Sequence, residues 1–213
     1  LFGIAKQKED YARRVVHGDG YTLHNADCID LAREIESESV GFTIYSPPFS
    51  SLFTYSNSDR DMGNSKSEGQ FFQHFGYLTD ELLRITMPGR LMAVHCMQLT
   101  TSKANDGFIG IRDFRGDLIR LMQSKGWIYH SEVCIWKDPV VAMQRTKALG
   151  LLHKTIKKDS SMSRQGLADY LLVFRKPGQN VVPISHTPEQ FPVTLWQRYA
   201  SPVWFDVNQT RTL

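Results

Sequence analysis

The chain has 213 residues, of which 41% are hydrophobic and 22% charged, with a formal net charge of +3. This is enough for one domain with a substantial core, and it excludes collagen-like, coiled-coil and wholly disordered chains. No apolar run approaches the roughly 18 residues that a membrane-crossing helix requires, and Leu1-Phe2-Gly3-Ile4-Ala5-Lys6 lacks the apolar stretch of a secretory signal. Cys28, Cys96 and Cys134 are odd in number and far apart, with no CxxC pair. Neither a disulfide framework nor a zinc site is expected, and a reducing, cytoplasmic setting fits. Because the chain starts without Met, it is expected to be part of a longer polypeptide.

In chain order, residues 1–20 are polar, mixed in charge and read as a loose lead-in segment. Tyr21 to His24 is a short strand. Asp27 is a plausible N-cap for a helix whose apolar face carries Ile29, Leu31, Ala32 and Ile35. The run Val40 to Tyr45 is β-rich and apolar on both faces, which predicts an interior strand of a parallel sheet. Ser46-Pro47-Pro48-Phe49 stops it, since two prolines cannot continue a ladder. Residues 50–67 read as a long surface loop. Gln70 to Thr86 is an amphipathic helix burying Phe71, Phe72, Phe75, Leu78, Leu82 and Ile85. Pro88-Gly89 ends it before a buried strand, Leu91 to Cys96.

A second loop at 98–111 leads into a helix capped by Asp113 or Asp117 and running to Gly126, followed by a strand from Trp127 to Trp136. The segment 143–164 is basic: Arg145, Lys147, Lys154, Lys157, Lys158 and Arg164 face only Asp159. Such an excess suits a phosphate backbone, and equally a solvated helical face. The strand Tyr170 to Phe174 closes the clear pattern. Beyond Gln179 the sequence reads as a connector with aromatic anchors Phe191, Trp196, Tyr199, Trp204 and Phe205. Alternating strands and helices predict an α/β layered domain.

The sharpest chemical signal is Ser46-Pro47-Pro48-Phe49. It follows a strand, and ligands of open α/β sheets bind outside the carboxyl ends of the strands. An exocyclic base amine has its lone pair delocalised into the ring. An enzyme acting on it must hold the nitrogen with acceptors so that it pyramidalises. Ser46 Oγ and the Pro47 carbonyl can accept its two N–H groups, the Pro47-Pro48 step fixes the carbonyl direction, and Phe49 offers a stacking face. A duplex base reaches such a corner only by flipping out, towards which stacking supplies roughly 1–3 kcal/mol. The alternative is a proline-stiffened turn without chemistry.

With these residues in place, the sequence resembles the N6-adenine/N4-cytosine DNA amino-methyltransferases, in the permuted order that puts the catalytic tetrapeptide near the amino end. The similarity runs from Tyr21 to about Lys176, and its fine pattern (Tyr55-Ser56-Asn57-Ser58, Asp61-Met62-Gly63-Asn64) is most similar to prophage-type methylases. The resemblance implies a Rossmann-like α/β sheet of the S-adenosylmethionine-dependent methyltransferase type, with helices on both faces. Double-stranded DNA is implied as partner and S-adenosyl-L-methionine as cofactor. Ser46, Pro47, Pro48 and Phe49 become the catalytic residues. Asp27 would accept from the amine of the cofactor's adenine, beside the Cys28 backbone N–H, and the loop 50–67 would gate the base. Arg145, Lys147, Lys154, Lys157 and Lys158 are the candidate phosphate contacts. Glu81-Leu82-Leu83-Arg84 and Pro88-Gly89-Arg90 fit the family pattern as scaffold. His95 reads as a satisfied structural histidine, and Trp136 as core or as the far wall of the base pocket.

The family's glycine-rich cofactor loop has no counterpart here, since Gly18-Asp19-Gly20 and Gly107-Phe108-Ile109-Gly110 lack its context. The sheet is therefore expected to be incomplete at the carboxyl end. The divisions expected are a lead-in (1–20), a catalytic core (21–178, with the basic insertion) and a connector (179–213), completed by a further carboxyl-terminal part or a dimer partner. Ser before Pro-Pro favours cytosine N4 over adenine N6. Methylation of RNA or of a protein glutamine, a non-catalytic DNA-binding module and a degenerate methylase partner remain as alternatives.

Overall fold

A computed structural model describes residues 13–50, 55–58, 60–146 and 148–207. Among them no helix is long and apolar enough to cross a membrane.

The described residues open with a hairpin, β1 (Arg14–Gly18) against β2 (Tyr21–Asn25). Its turn places Gly20 at φ 74, a conformation that glycine adopts without a Cβ penalty. Part of the expected lead-in is thus a strand: the Gly18-Asp19-Gly20 cluster is the turn inside a hairpin, not the end of a loose segment. Helix α1 (Cys28–Glu34) starts at Asp27, whose carboxylate accepts from the backbone N–H groups of Ile29 and Asp30. β3 (Val40–Tyr45) follows. α2 (Glu68–Ile85) is capped by Ser67, whose hydroxyl accepts from Gln70 N–H.

Helix α2 turns Phe71, Phe75, Leu78, Leu82 and Ile85 inward at helical spacing. It leads directly into β4 (Thr86–Met97), longer than the expected strand. Gly89 in β4 has φ 71, and a Cβ there would lie 2.5 Å from the Asn180 backbone nitrogen, so only glycine fits. The region expected as a second loop holds a small hairpin, β5 (Leu99–Thr101) and β6 (Gly110–Arg112), around the short α3 (Lys103–Asp106). α4 (Phe114–Ser124) is capped by Asp113, and β7 (Ile128–Ile135) follows. The basic segment forms α5 (Pro139–Thr146) and α6 (His153–Lys158). β8 (Asp169–Arg175), α7 (Val193–Tyr199) and β9 (Val203–Trp204) are the last elements among the described residues.

The main sheet has the order β3-β4-β8-β7-β9. β3 runs parallel to β4, β8 runs antiparallel to β4 and β7, and β9 runs parallel to β7. One face is covered by a layer of α1, α2 and α4. There Phe71 and Phe75 stack with ring centroids 5.7 Å apart, and Phe71 meets Phe114 at 5.6 Å. Met92, Val94, Cys96, Leu172 and Phe174 point into this layer and are buried. The Arg84 guanidinium, braced by Glu81 at 2.8 Å, donates to the carbonyls of Ala32 and Ile35. It thereby satisfies the end of α1 and ties α1 to α2.

The strand predicted to lie in the interior is an edge among the described residues. Phe42 and Ile44 stand 56% and 64% exposed on the face opposite the helix layer. An apolar β-rich run reports strand propensity, and it does not say on how many sides the strand is paired. On packing grounds, Phe71→Ala should lower stability by about 3–5 kcal/mol in urea unfolding followed by tryptophan fluorescence.

Candidate active site

The parallel register pairs Tyr45 with Val94, so the next residue on each strand brings Ser46 beside His95. Pro47 has no N–H to extend the ladder, and the chain leaves the sheet there. Ser46 is exposed while Pro47 is buried beneath it. Ser46 Oγ lies 3.1 Å from His95 Nδ1 and 3.3 Å from the His95 carbonyl oxygen. The chain then turns tightly, with Ser50 N–H donating to the Pro48 carbonyl at 3.0 Å. Ser50 is held at φ 53 although it is not glycine, and it is 4% exposed. Such backbone strain persists only where the surroundings enforce it, and it clusters at functional sites. No hydrogen bond to the Pro47 carbonyl forms among the described residues. Phe49 is half-buried, edge-on to Phe114 at 6.2 Å and to His95 at 6.0 Å. Its ring is therefore fixed by packing.

His95 has a second partner. Its Nε2 lies 3.2 Å from Oδ2 of Asp169, the first residue of β8. The other carboxylate oxygen accepts from Lys137 Nζ, just beyond the end of β7. Asp169 is buried, at 8% exposure. Burial alone would raise its carboxyl, but the hydrogen bonds from His95 and Lys137 prevail and hold it below the usual carboxylate range. Four side chains from the ends of β3, β4, β7 and β8 thus form one chain: Ser46, His95, Asp169, Lys137. The sequence pattern marks His95 as structural and gives Asp169 and Lys137, just outside the expected strands, no role. The pairing of Asp169 with Ile135, two residues before Lys137, brings them together, and local sequence pattern does not encode it. The neighbouring Cys96 thiol, buried and pushed up to about 12 by desolvation, points into the core and is not reactive.

The other expected residues fall elsewhere. Asp27 Oδ1 is taken by the α1 cap, and Oδ2 sits 3.3 Å from the Arg60 guanidinium, which also pairs with Asp30. Cys28 opens α1 and is exposed. Asp27 borders two hollows. One of about 250 Å³ also has Asp30, Arg60, Met62, His74 and Tyr77 on its wall, and one of about 440 Å³ is bounded by Arg13, Ala26, Leu31 and Glu34. Neither is lined by Ser46 or Phe49, so the described structure does not join Asp27 and the Ser46 corner in one hollow. Trp136 is 44% exposed, with its ring 6.1 Å from Phe205, and does not pack in the core. Lys154, Lys157 and Lys158 project from α6 into solvent without ion pairs among the described residues. Lys147 and the Arg145 side chain lie outside the described residues, as does part of the expected gating loop.

Strand order and the antiparallel β8 define a mixed α/β sheet with a helix layer. No protein-family profile and no curated protein matches the sequence. Among solved structures the chain is similar to a Thermus thermophilus protein provisionally described as a DNA modification methylase. In its complex with S-adenosyl-L-methionine the TM-score is 0.65 at 16% identity, covering 88% of this chain and 68% of that one. A selenomethionine form of the same protein gives 0.62 at 15% identity, covering 85% and 65%. The cytosine-N4-specific PvuII DNA methyltransferase gives 0.56 at 12% identity, covering 88% of this chain and 57% of that one. At these identities the likeness establishes the fold. The chain spans about two thirds or less of these proteins' lengths.

The lowered Asp169 carboxyl carries a pH signature. A depressed folded value means that its contribution is present above the ordinary carboxylate range of about 4 and is lost as pH falls through the folded value. Urea midpoints of the wild type and of Asp169→Asn should therefore differ near neutral pH and converge in acid, as read from unfolding curves across pH.

Proposed function

We propose that this chain carries the catalytic part of a DNA amino-methyltransferase acting on an exocyclic amine of a flipped base, with cytosine N4 as target and adenine N6 as the nearest alternative. The observation that carries this reading is the Ser46-Pro47-Pro48-Phe49 corner at the open end of β3, where an exposed serine and a carbonyl without a partner among the described residues precede an aromatic ring held by packing. The fold shared with the Thermus protein and with PvuII methyltransferase supports it. Ser before Pro-Pro, together with the N4 specificity of the PvuII methyltransferase, favours cytosine. The residues 21–178 form the catalytic core in this reading, with 143–164 as a basic insertion that tracks phosphates.

S-adenosyl-L-methionine supplies an electrophilic methyl group when bound. The residues present fit part of it. Asp27 Oδ2 at the mouth of two hollows is an acceptor suited to an amine, once Arg60 yields its place. At the base, Ser46 Oγ and the Pro47 carbonyl accept the two amine hydrogens and favour the pyramidal nitrogen. Phe49 holds the ring plane. These contacts strengthen as the nitrogen rehybridises, so they act on the transition state more than on the bound base.

The engagement of Asp27 by Arg60 favours a second reading, a DNA-binding module that transfers nothing. Mass spectrometry of nucleosides from the DNA of an expressing host separates the two. The expected result is N4-methylcytosine with the wild type and a loss on the order of 10²–10³-fold in transfer rate with Ser46→Ala. N6-methyladenine would reassign the base, and no modified base in either strain would leave only binding. For the basic segment, replacing Lys154, Lys157 and Lys158 together by Ala should flatten the salt dependence of DNA affinity by about 0.9 in log–log slope for each phosphate no longer neutralised, measured by fluorescence anisotropy.

A further inference from the structure

Ser46 is an unusual acceptor, because a hydroxyl carries a hydrogen of its own. If that hydrogen pointed at the incoming amine, it would oppose the N–H groups the corner has to receive. Where the hydroxyl hydrogen goes therefore decides whether Ser46 works at all.

The structure offers that hydrogen two acceptors, and both belong to His95: Nδ1 at 3.1 Å and the backbone carbonyl at 3.3 Å. Nδ1 can accept only if the imidazole hydrogen sits on Nε2. The opposite side of the ring supplies that condition. Nε2 faces Asp169 Oδ2 at 3.2 Å, and an ionised carboxylate only accepts, so Nε2 must donate. Lys137 occupies the other carboxylate oxygen and keeps Asp169 ionised and turned towards His95. Phe49 lies edge-on to the imidazole at 6.0 Å and limits its rotation. Each group fixes the next, starting from an ion pair at the base of β8.

We infer that His95 and Asp169 are positioning residues: Asp169 locks His95 with its hydrogen on Nε2, and His95 draws the Ser46 hydroxyl hydrogen inward so that the Ser46 lone pairs face the target amine. The role rests on the methyl-transfer reading above, but the hydrogen-bond chain belongs to the protein alone and is measurable without DNA or cofactor. It also accounts for a buried aspartate, a lysine and a histidine converging behind a serine that sequence reading treated in isolation. His95 touches no reacting atom and acts through Ser46.

The test has two arms. Nitrogen NMR of the His95 imidazole at mildly alkaline pH should show the hydrogen on Nε2 and an acceptor-shifted Nδ1. Ser46→Ala should remove the Nδ1 shift without moving the hydrogen, and Asp169→Asn should release the lock into a mixture of both tautomers. A hydrogen on Nδ1 in the wild type overturns the inference. In the kinetic arm, His95→Ala should lower kcat on the order of 10²-fold while KM for DNA stays within about two-fold, as expected when alignment rather than binding is lost. His95→Asn, whose side-chain oxygen can stand near the Nδ1 position, should recover most of kcat and guards against a folding artefact. Unchanged kcat in His95→Ala overturns the inference even with the expected tautomer, and so does an equal loss in both His95 variants. If the wild type transfers no methyl group, the functional reading falls, while the NMR arm alone still decides the hydrogen-bond chain.

Discussion

A proline gives no hydrogen to a neighbouring strand, and two in succession force a polypeptide out of a sheet. Everything at the candidate site follows from where Pro47 and Pro48 do this. They end β3 in parallel register with β4, so the last rung leaves Ser46 at the side of His95. Because β8 runs antiparallel to β4, its first residue, Asp169, arrives at the same end of the sheet where β4 finishes. β7 finishes there as well and brings Lys137. The end of one strand and the pairing of three others thus gather residues far apart in sequence into one row of side chains.

The layer beneath supplies the rigidity. α2 and α4 press Phe71, Phe75 and Phe114 against the sheet, and Phe114 in turn meets Phe49 edge-on. The aromatic at the tip of the corner is therefore a surface extension of the core and not a free side chain. The strained turn at Ser50, itself buried, follows Phe49 directly. A corner held this way begins close to its working geometry, which limits the ordering that binding a base has to impose.

Much of this was legible in the residues. The spacing of Phe71, Phe75, Leu78 and Leu82 fixes the buried side of α2, and Asp27 and Asp113 act as caps, as their positions before apolar runs imply. Ser46-Pro47-Pro48-Phe49 stands at a strand end, as proline chemistry requires. What was not legible depends on strand pairing, which periodicity does not encode. The partners of His95 come from β3 and β8, distant in sequence, so a histidine with two specific neighbours looked like a packed one. Val40 to Tyr45 reads as an interior strand because propensity is the same with one neighbour or two. Arg60 occupying Asp27 is likewise a contact across a loop, invisible to local pattern.

The one-sided pairing of β3 has a mechanical consequence. Among the described residues the strand is hydrogen-bonded to β4 alone and presents bare amides and carbonyls on its free flank, while Phe42 and Ile44 stand exposed on the face opposite the helix layer. Ser46 hangs from the end of this strand, whereas His95, Asp169 and Lys137 hang from strands clamped more fully within the sheet. Any backbone that zips onto the free flank stiffens the serine against its imidazole, and any that peels β3 away parts them. The spacing of the hydroxyl from the ring thus depends, among the described residues, on the pairing of β3 with β4 alone.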